Sequence, residues 1–333
     1  MSAIPDAPTL PRIAVTMGDP AGIGPEIAVK ALWSDEFHAH CDPLVVGDLA
    51  VLSLAARAMG QEFAESLEAH VLDLGALPID DHAWGVATAA GGRAAAAYIE
   101  RSVELALRGE VAAIVTGPIN KDALHQAGVP FPGHTEMLAS LTGTEAYAMM
   151  LVGPDLHVSH VSTHVSLGDA IRRVKRPRVE TVIALTDAAL QAEGITSPRI
   201  AVAGLNPHAG EGGLFGTEEI DEIEPAVRAM RERGVDVSGP HPPDTVFLFA
   251  TRGRFDAVVA MYHDQGHIPA KLSGFDESVN VTIGLPIVRA SVDHGTAYDI
   301  AGTGSASAAS LIEAVRYAAR AARARPPVQV AAS

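Results

Sequence analysis

The feature that most constrains the fold of this chain is the alternation of short apolar runs with helical patterns. Runs such as Arg12–Thr16, Val111–Thr116 and Phe255–Ala260 have the length and composition of buried strands. Helical patterns separate most of these runs, and the longest of them, Thr88–Arg108, is rich in alanine. Strands that alternate with helices usually pair in parallel. The sequence therefore predicts an α/β fold with a largely parallel sheet.

One part of the chain breaks this alternation. Two consecutive strand patterns, Tyr147–Val152 and Leu156–Thr163, flank the turn residues Gly153 and Pro154. Adjacent strands joined by a short turn form a hairpin. We therefore predict one antiparallel element, which is also a candidate subunit interface.

Composition excludes several classes of function. The chain has 333 residues, is 48% hydrophobic and carries a formal net charge of −16. A strongly acidic chain is poorly suited to bind nucleic acid or an anionic membrane, and the single cysteine, Cys41, allows no intrachain disulfide. With no signal-peptide pattern and no apolar run near the ~20 residues of a membrane span, we expect a cytoplasmic protein.

Three histidines follow apolar segments of their own: His164, His208 and His263. Open α/β sheets bind ligands beyond the carboxyl ends of their strands, and imidazole is the commonest metal-binding side chain. Three protein ligands with an open position are typical of a catalytic metal site. The alternative for each histidine alone is a structural, hydrogen-bonded residue. We hypothesise that the three converge on one divalent metal.

Two further segments are candidate ligand loops. The segment Gly18–Glu26 links a strand to a helix, but position 27 is isoleucine, so the glycine fingerprint of dinucleotide-binding folds fails. It is either a simple turn or a loop lining a ligand cleft. At His134-Thr135-Glu136, Thr135 is either a helix cap or part of a phosphate site, because helix N-termini bind phosphate.

Taken together, these blocks resemble the 4-hydroxythreonine-4-phosphate dehydrogenase family of vitamin B6 biosynthesis, over about residues 12–320. The blocks that carry the resemblance are Gly18–Glu26, Thr116–Lys121, Gly133–Glu136, Leu205–Gly213, Met261–Gly266 and Ser291–Ala297. The resemblance implies a fold like those of isocitrate and isopropylmalate dehydrogenases, with two domains flanking a cleft. Residues 1–130 and 285–333 would form a terminal, cofactor-binding domain, and residues 131–284 a central domain with the metal, the substrate and the dimer interface.

The resemblance also implies roles for individual residues. His164 and His208 would bind one divalent metal (zinc, cobalt, manganese, magnesium or nickel) with His263 of the partner subunit, in a homodimer. Asp264 would orient an imidazole or join the metal, and the general base would be Lys271, His134 or a metal-bound water. The substrate contacts that carry over are His134, Thr135, Lys271, Asn280 and Arg289. The stretch Asp293, His294, Gly295, Thr296 and Ala297 would lie near the adenosine of NAD or NADP.

The implied reaction is oxidation of the 3-hydroxyl of 4-phosphohydroxy-L-threonine, followed by decarboxylation. The run His267–Leu272, with Ser162–Leu167, is closer to a branch that acts on 4-phospho-D-threonate or 4-phospho-D-erythronate in sugar-acid catabolism. A further relative acts on an aromatic cis-dihydrodiol carboxylate, but the block Gly133–Glu136 favours a phosphorylated substrate. Outside this class, a metal-dependent hydrolase or aldolase without NAD would also fit three histidines, and a third possibility is a non-catalytic binding protein.

Overall fold

The computed structural model of the protein describes residues 10–131, 133–274 and 278–324. The chain divides into two compact units. Unit 1 comprises Met1–Thr142 and Pro286–Ser333, and unit 2 comprises Gly143–Leu285. The roles assigned above to a terminal and a central domain stay predictions.

The strands and helices occupy most of the positions that the alternation indicates. The strands are β1 (Arg12–Thr16), β2 (Asp42–Gly47), β3 (Val71–Asp73), β4 (Ala113–Thr116), β5 (Ala148–Val152), β6 (His157–His160), β7 (Ile200–Ala203), β8 (Val237–His241), β9 (Ala257–Ala260), β10 (Val279–Ile283) and β11 (Val288–Ser291). The α-helices are α1 (Gly24–Leu32), α2 (Asp35–His40), α3 (Leu49–Ala58), α4 (Glu65–Glu68), α5 (Ala89–Leu107), α6 (Lys121–Gln126), α7 (His134–Leu141), α8 (Leu167–Arg173), α9 (Arg176–Ala192), α10 (Glu224–Glu232), α11 (Val246–Thr251), α12 (His263–Gly274) and α13 (Ala309–Ala324).

Unit 1 contains a parallel sheet with strand order β3-β2-β1-β4-β11. Its central strands are buried on both faces, and Ile13, Ala14 and Val15 are wholly inaccessible to solvent. The alanine-rich helix α5 packs on β1, β2 and β4, because small side chains let its backbone approach the sheet. The parallel α/β architecture predicted from the alternation is confirmed in this unit.

Unit 2 contains strands in the order β10-β5-β6-β9-β7-β8. The pairs β10–β5 and β5–β6 are antiparallel, so the predicted hairpin is confirmed, while β6–β9, β9–β7 and β7–β8 are parallel. Leu151, Val158, Val258 and Phe247 belong to its buried core. Four parallel strands, in the order β6-β9-β7-β8, therefore lie side by side and end at one edge of this sheet.

Two local features complete the fold. Helix α7 begins at His134 with Gly133 as its N-cap, so Thr135 is the second helical residue and the N-cap role considered for it is wrong. Among the described residues, no helix combines the length and the apolar character needed to span a membrane.

Candidate functional site

The three candidate metal ligands follow three neighbouring parallel strands. Strand β9 pairs with β6 on one side and with β7 on the other. His164 follows β6, His208 follows β7, and His263 begins helix α12 just after β9. Since parallel strands end at the same edge of a sheet, all three histidines lie beyond that edge, where ligands bind in folds of this class.

His164 and His263 lie together at one cavity. Their ring centres are 5.7 Å apart, and both line a cavity of about 460 Å³ whose wall also includes Thr163, Tyr262 and Asp264. Two imidazoles bound to one metal through bonds of about 2.1 Å have ring centres roughly 5 to 6 Å apart. The spacing of this pair therefore fits a shared divalent metal.

A carboxylate fixes the orientation of His263. Its Nδ1 lies 2.7 Å from Oδ1 of Asp264, and a carboxylate that accepts the Nδ1 proton leaves the lone pair on Nε2. The ring of His267 stacks on that of His263, with centres 3.6 Å apart and planes at 11°. His263 is therefore held on two sides, and the contact with Asp264 is compatible with the orienting role, one of the two predicted alternatives for this residue, which stays a prediction.

Two neutral histidines lie behind His263. Nδ1 of His267 is 3.1 Å from Nε2 of His160, and both residues are buried. Burial, together with neighbouring histidines, lowers the pKa of His160 to about 3 and that of His267 to about 4. Both rings are therefore uncharged at neutral pH and place no competing cation behind the cavity.

His208 does not complete the site within one chain. In residues 10–131, 133–274 and 278–324, no group of three or more His, Cys, Asp or Glu side chains forms a metal cluster. His208 is exposed and lies near Phe215, with ring centres 6.3 Å apart. The prediction placed His164 with His208 in one chain and took His263 from the partner subunit, whereas the single chain brings His164 and His263 together. The full site and its division between subunits stay a prediction.

Two of the predicted substrate contacts, Arg289 and His134, lie close together in unit 1. Arg289 is 2% exposed, and its Nη2 donates to Oγ1 of Thr116 at 2.7 Å. Burial lowers the pKa of Arg289 to about 9, so the guanidinium stays charged at neutral pH.

His134 lies close to Arg289. Burial, and then the charge of Arg289, lowers the pKa of His134 well below its usual value. Its buried Nε2 has no hydrogen-bond partner within the described part of the chain. A fixed positive charge beside an uncharged, unpaired ring nitrogen is suited to bind an anionic, protonatable group such as a phosphate.

The other predicted substrate residues are distributed over both units. Thr135 lies in the first turn of α7 in unit 1, whereas Lys271 on α12 and Asn280 in β10 belong to unit 2. Lys271 is partly buried and one helical turn beyond His267. Each unit therefore carries part of the predicted substrate set.

The predicted cofactor loop packs against the loop at Gly18–Glu26. The backbone N–H of Ile23 donates to the carbonyl of Thr296 at 2.9 Å, and the Tyr298 hydroxyl donates to Asp19 Oδ2 at 2.6 Å. Within the stretch Asp293–Ala297, His294 Nδ1 lies 3.0 Å from the Gly295 carbonyl, and Ala297 has φ +42°. The segment Gly18–Glu26 therefore supports another loop and is more than a strand-to-helix turn.

Sequence reasoning missed several residues that support the site. They are Thr116, which contacts Arg289; Gln265, which bridges two loops; and Glu219, which accepts hydrogen bonds from the segment before His208. Thr116 and Gln265 lie inside the sequence blocks that carry the family resemblance, and this position could have identified them. Glu219 lies outside those blocks and had no such signal.

Comparison with known proteins identifies relatives over nearly the whole chain. A profile of the family described as pyridoxal phosphate biosynthetic protein PdxA matches residues 39–318. D-threonate 4-phosphate dehydrogenase of Cupriavidus necator is 51% identical, over 93% of this chain and 97% of its own. 4-Hydroxythreonine-4-phosphate dehydrogenase of Desulfosudis oleivorans is 49% identical, over 92% and 95%. The crystal structure of 4-hydroxythreonine-4-phosphate dehydrogenase from Klebsiella pneumoniae is similar with a TM-score of 0.86 at 48% identity, over 94% and 99%.

Proposed function

The chain belongs to the PdxA family, and we propose that it oxidises the hydroxyl of a phosphorylated hydroxy acid in a reaction that needs NAD or NADP and a divalent metal. The observation that carries the proposal is the pairing of His164 with His263 at one cavity. Relatives with about 50% sequence identity are named as dehydrogenases, and these names support an activity on a CH–OH group. The hydrolase and aldolase alternatives lack such support.

We assign a binding role to each group of residues. Arg289, with Thr116 and His134 beside it, binds the substrate phosphate. His164, His208 and His263 hold the metal, and Asp264 keeps Nε2 of His263 available by accepting its Nδ1 proton. The loop Asp293–Ala297 receives the cofactor, supported from behind by the loop at Gly18–Glu26.

When bound, the metal polarises the substrate hydroxyl and the nicotinamide accepts a hydride. Loss of the hydroxyl proton and the hydride gives a 3-keto acid, and departure of carbon dioxide then leaves an enolate that must be protonated. His134 is a poor proton acceptor, because its lowered pKa favours the uncharged ring. Among the chain's own candidates, we assign the proton transfers to Lys271.

The names of relatives support two substrates. We place 4-phospho-D-threonate first, because the relative at 51% identity is named for it and because the run His267–Leu272 resembles that branch. 4-Phosphohydroxy-L-threonine is the second, supported by the relative at 49% identity. Purified protein should form NADH or NADPH from one of them in parallel assays, and 4-phospho-D-erythronate belongs in the same panel. No turnover of any of them, with metal and both cofactors present, would contradict the proposal.

We also propose a homodimer in which the metal site is shared between subunits, since His208 does not join the other two histidines within one chain. Mixing inactive His208→Ala and His263→Ala subunits tests this. A shared site predicts recovery to about a quarter of wild-type activity, because random pairing makes half of the dimers mixed and each mixed dimer has one intact site. No recovery would place all three ligands in one subunit. A cytoplasmic location stays a prediction.

A further inference from the structure

The segment that carries His208 has an unusual backbone. Five consecutive residues, His208 to Gly212, have φ values of 54°, 53°, 80°, 44° and 65°. This is the left-handed region, which is unfavourable for residues with a Cβ, and His208, Ala209 and Glu211 all have one. Such a run persists only where the surrounding structure holds it in place. Other side chains must therefore stabilise the turn that carries His208.

One buried carboxylate holds the start of this turn. Oε1 of Glu219 accepts hydrogen bonds from the backbone N–H groups of Leu205 and Asn206, both at 2.7 Å. Its Oε2 accepts one from Nδ2 of Asn206 at 2.9 Å. Glu219 is 3% exposed, so water does not compete for these contacts. Three donors from the segment that leads into His208 thus converge on one side chain.

The turn and the carboxylate also fit each other sterically. A Cβ at Gly210, whose φ is +80°, would lie 2.8 Å from Oε2 of Glu219. Glu219 begins a single π-helical turn, Glu219–Ile223, and such turns occur often at functional sites. The left-handed segment is therefore packed directly on the carboxylate.

We propose that Glu219 is a positioning residue for the metal site, and that its carboxylate holds the left-handed turn so that His208 is in place before a metal binds. The inference rests on the metal role given to His208 under the proposed function. A carboxylate is required because both of its oxygens accept. In Glu219→Gln one carboxylate oxygen becomes an NH₂ group. This new donor then faces one of the donors of Leu205 or Asn206, and that hydrogen bond is lost.

The test measures Co²⁺ binding to the full-length protein by titration calorimetry and by the visible absorption of the bound ion. Glu219→Gln should bind Co²⁺ about 10- to 100-fold more weakly, the usual effect of losing a group that supports a ligand. The matched control is Glu222→Gln, a glutamate of the same turn that binds Lys175 and the Arg176 N–H instead. It makes the same chemical change in an exposed ion pair of that turn, so it should lose little stability and keep wild-type Co²⁺ affinity.

Hydrogen exchange on metal-free protein gives a second readout. The amides of residues 205–216 should exchange faster than in wild type in Glu219→Gln, and at the wild-type rate in Glu222→Gln. Gly210→Ala displaces the Glu219 carboxylate without removing it, so this variant should also weaken Co²⁺ binding. It replaces Glu219→Gln in the test if that variant does not fold. Wild-type Co²⁺ affinity in whichever variant folds, or equal weakening in Glu222→Gln, would overturn the inference.

His208→Ala separates this inference from the proposal beneath it. If His208→Ala weakens Co²⁺ binding and Glu219→Gln does not, the positioning role alone fails. If His208→Ala itself binds Co²⁺ as wild type does, the metal role of His208 fails and the inference fails with it.

Discussion

Gln265 donates a 2.7 Å hydrogen bond from Nε2 to the backbone carbonyl of Gly204. Its Oε1 accepts from the N–H of Met261 at 2.6 Å, and the residue is 8% exposed. Gly204 leads into the segment of His208, and Met261 leads into that of His263. One amide side chain thus ties together two of the segments proposed to carry metal ligands.

Replacing this amide by an isosteric carboxylate should destabilise unit 2. In Gln265→Glu a carboxylate oxygen faces the buried Gly204 carbonyl, so a donor is lost and two acceptors oppose each other. The expected loss is about 1–3 kcal/mol in the free energy of unfolding, measured by urea denaturation. Gln61→Glu, at an exposed position, is the control and should be near neutral. An unchanged free energy in Gln265→Glu would show that the bridge contributes little.

The phosphate role of Arg289 predicts a change in substrate KM. Arg289→Lys keeps the charge but loses the planar guanidinium that reaches Thr116. KM for the phosphorylated substrate should rise roughly 10- to 100-fold, as for loss of a hydrogen bond to a charged group, with a smaller effect on kcat. Arg199→Lys, in an exposed ion pair with Asp256, should leave KM unchanged. A wild-type KM in Arg289→Lys would contradict the proposal that Arg289 binds the substrate phosphate.

The contact between the two loops of unit 1 predicts an effect on cofactor binding. A Cβ at Gly22 would lie 2.8 Å from the Thr296 carbonyl, so Gly22→Ala must displace the loop Asp293–Ala297. We expect a higher KM for NAD or NADP with little change in substrate KM. Gly168→Ala adds a methyl group that meets only Arg172 at 3.8 Å, and it should behave as wild type. A rise in substrate KM alone would argue against a cofactor role for the loop.

The buried neutral histidines predict a loss of stability in acid. The pKa of His160 is lowered to about 3 in the folded protein, whereas in the unfolded chain it is about 6.5. Between these values the unfolded state binds a proton that the folded state does not. Stability from this residue is therefore complete above pH 6.5 and falls as the pH drops toward 3, with a slope of about 1.4 kcal/mol per pH unit.

Replacing His160 should reduce that slope. Urea denaturation of His160→Gln between pH 7 and pH 4 should show a weaker dependence on pH than wild type, by up to one bound proton. His125→Gln, at an exposed position, should keep the wild-type slope. Equal slopes in wild type and His160→Gln would mean that His160 is already able to take a proton in the folded state.

The regular elements and the placement of the candidate ligands could be predicted from the sequence. Buried strands such as β1, β4 and β9 appear in the sequence as continuous apolar runs, because both of their faces are covered in the fold. The polar segments that follow β6, β7 and β9 marked His164, His208 and His263 as candidates without any knowledge of strand pairing. The hairpin β5–β6 followed from two strand patterns around Gly153 and Pro154.

The supporting structure around these residues could not be predicted in the same way. Helix α12 contains Gly266 and Pro269, which disfavour helices, and tertiary packing overrides them. The left-handed run at His208 is held by Glu219. This residue lies too far along the chain for a local sequence pattern to connect the two, and it contacts the segment only once the chain has folded. The approach of His164 to His263, and the separation of His208 from them, depend on loop geometry that periodicity does not encode.

The most direct test of the central claim is the rate of NADH or NADPH formation by protein freed of metal with a chelator and then supplied with one divalent ion at a time. We predict that metal-free protein forms no reduced cofactor from the preferred phosphorylated acid, and that activity returns in proportion to bound metal up to one ion per site. Far-ultraviolet circular dichroism should show the same fold throughout. Full turnover by protein that verifiably contains no metal would contradict the account.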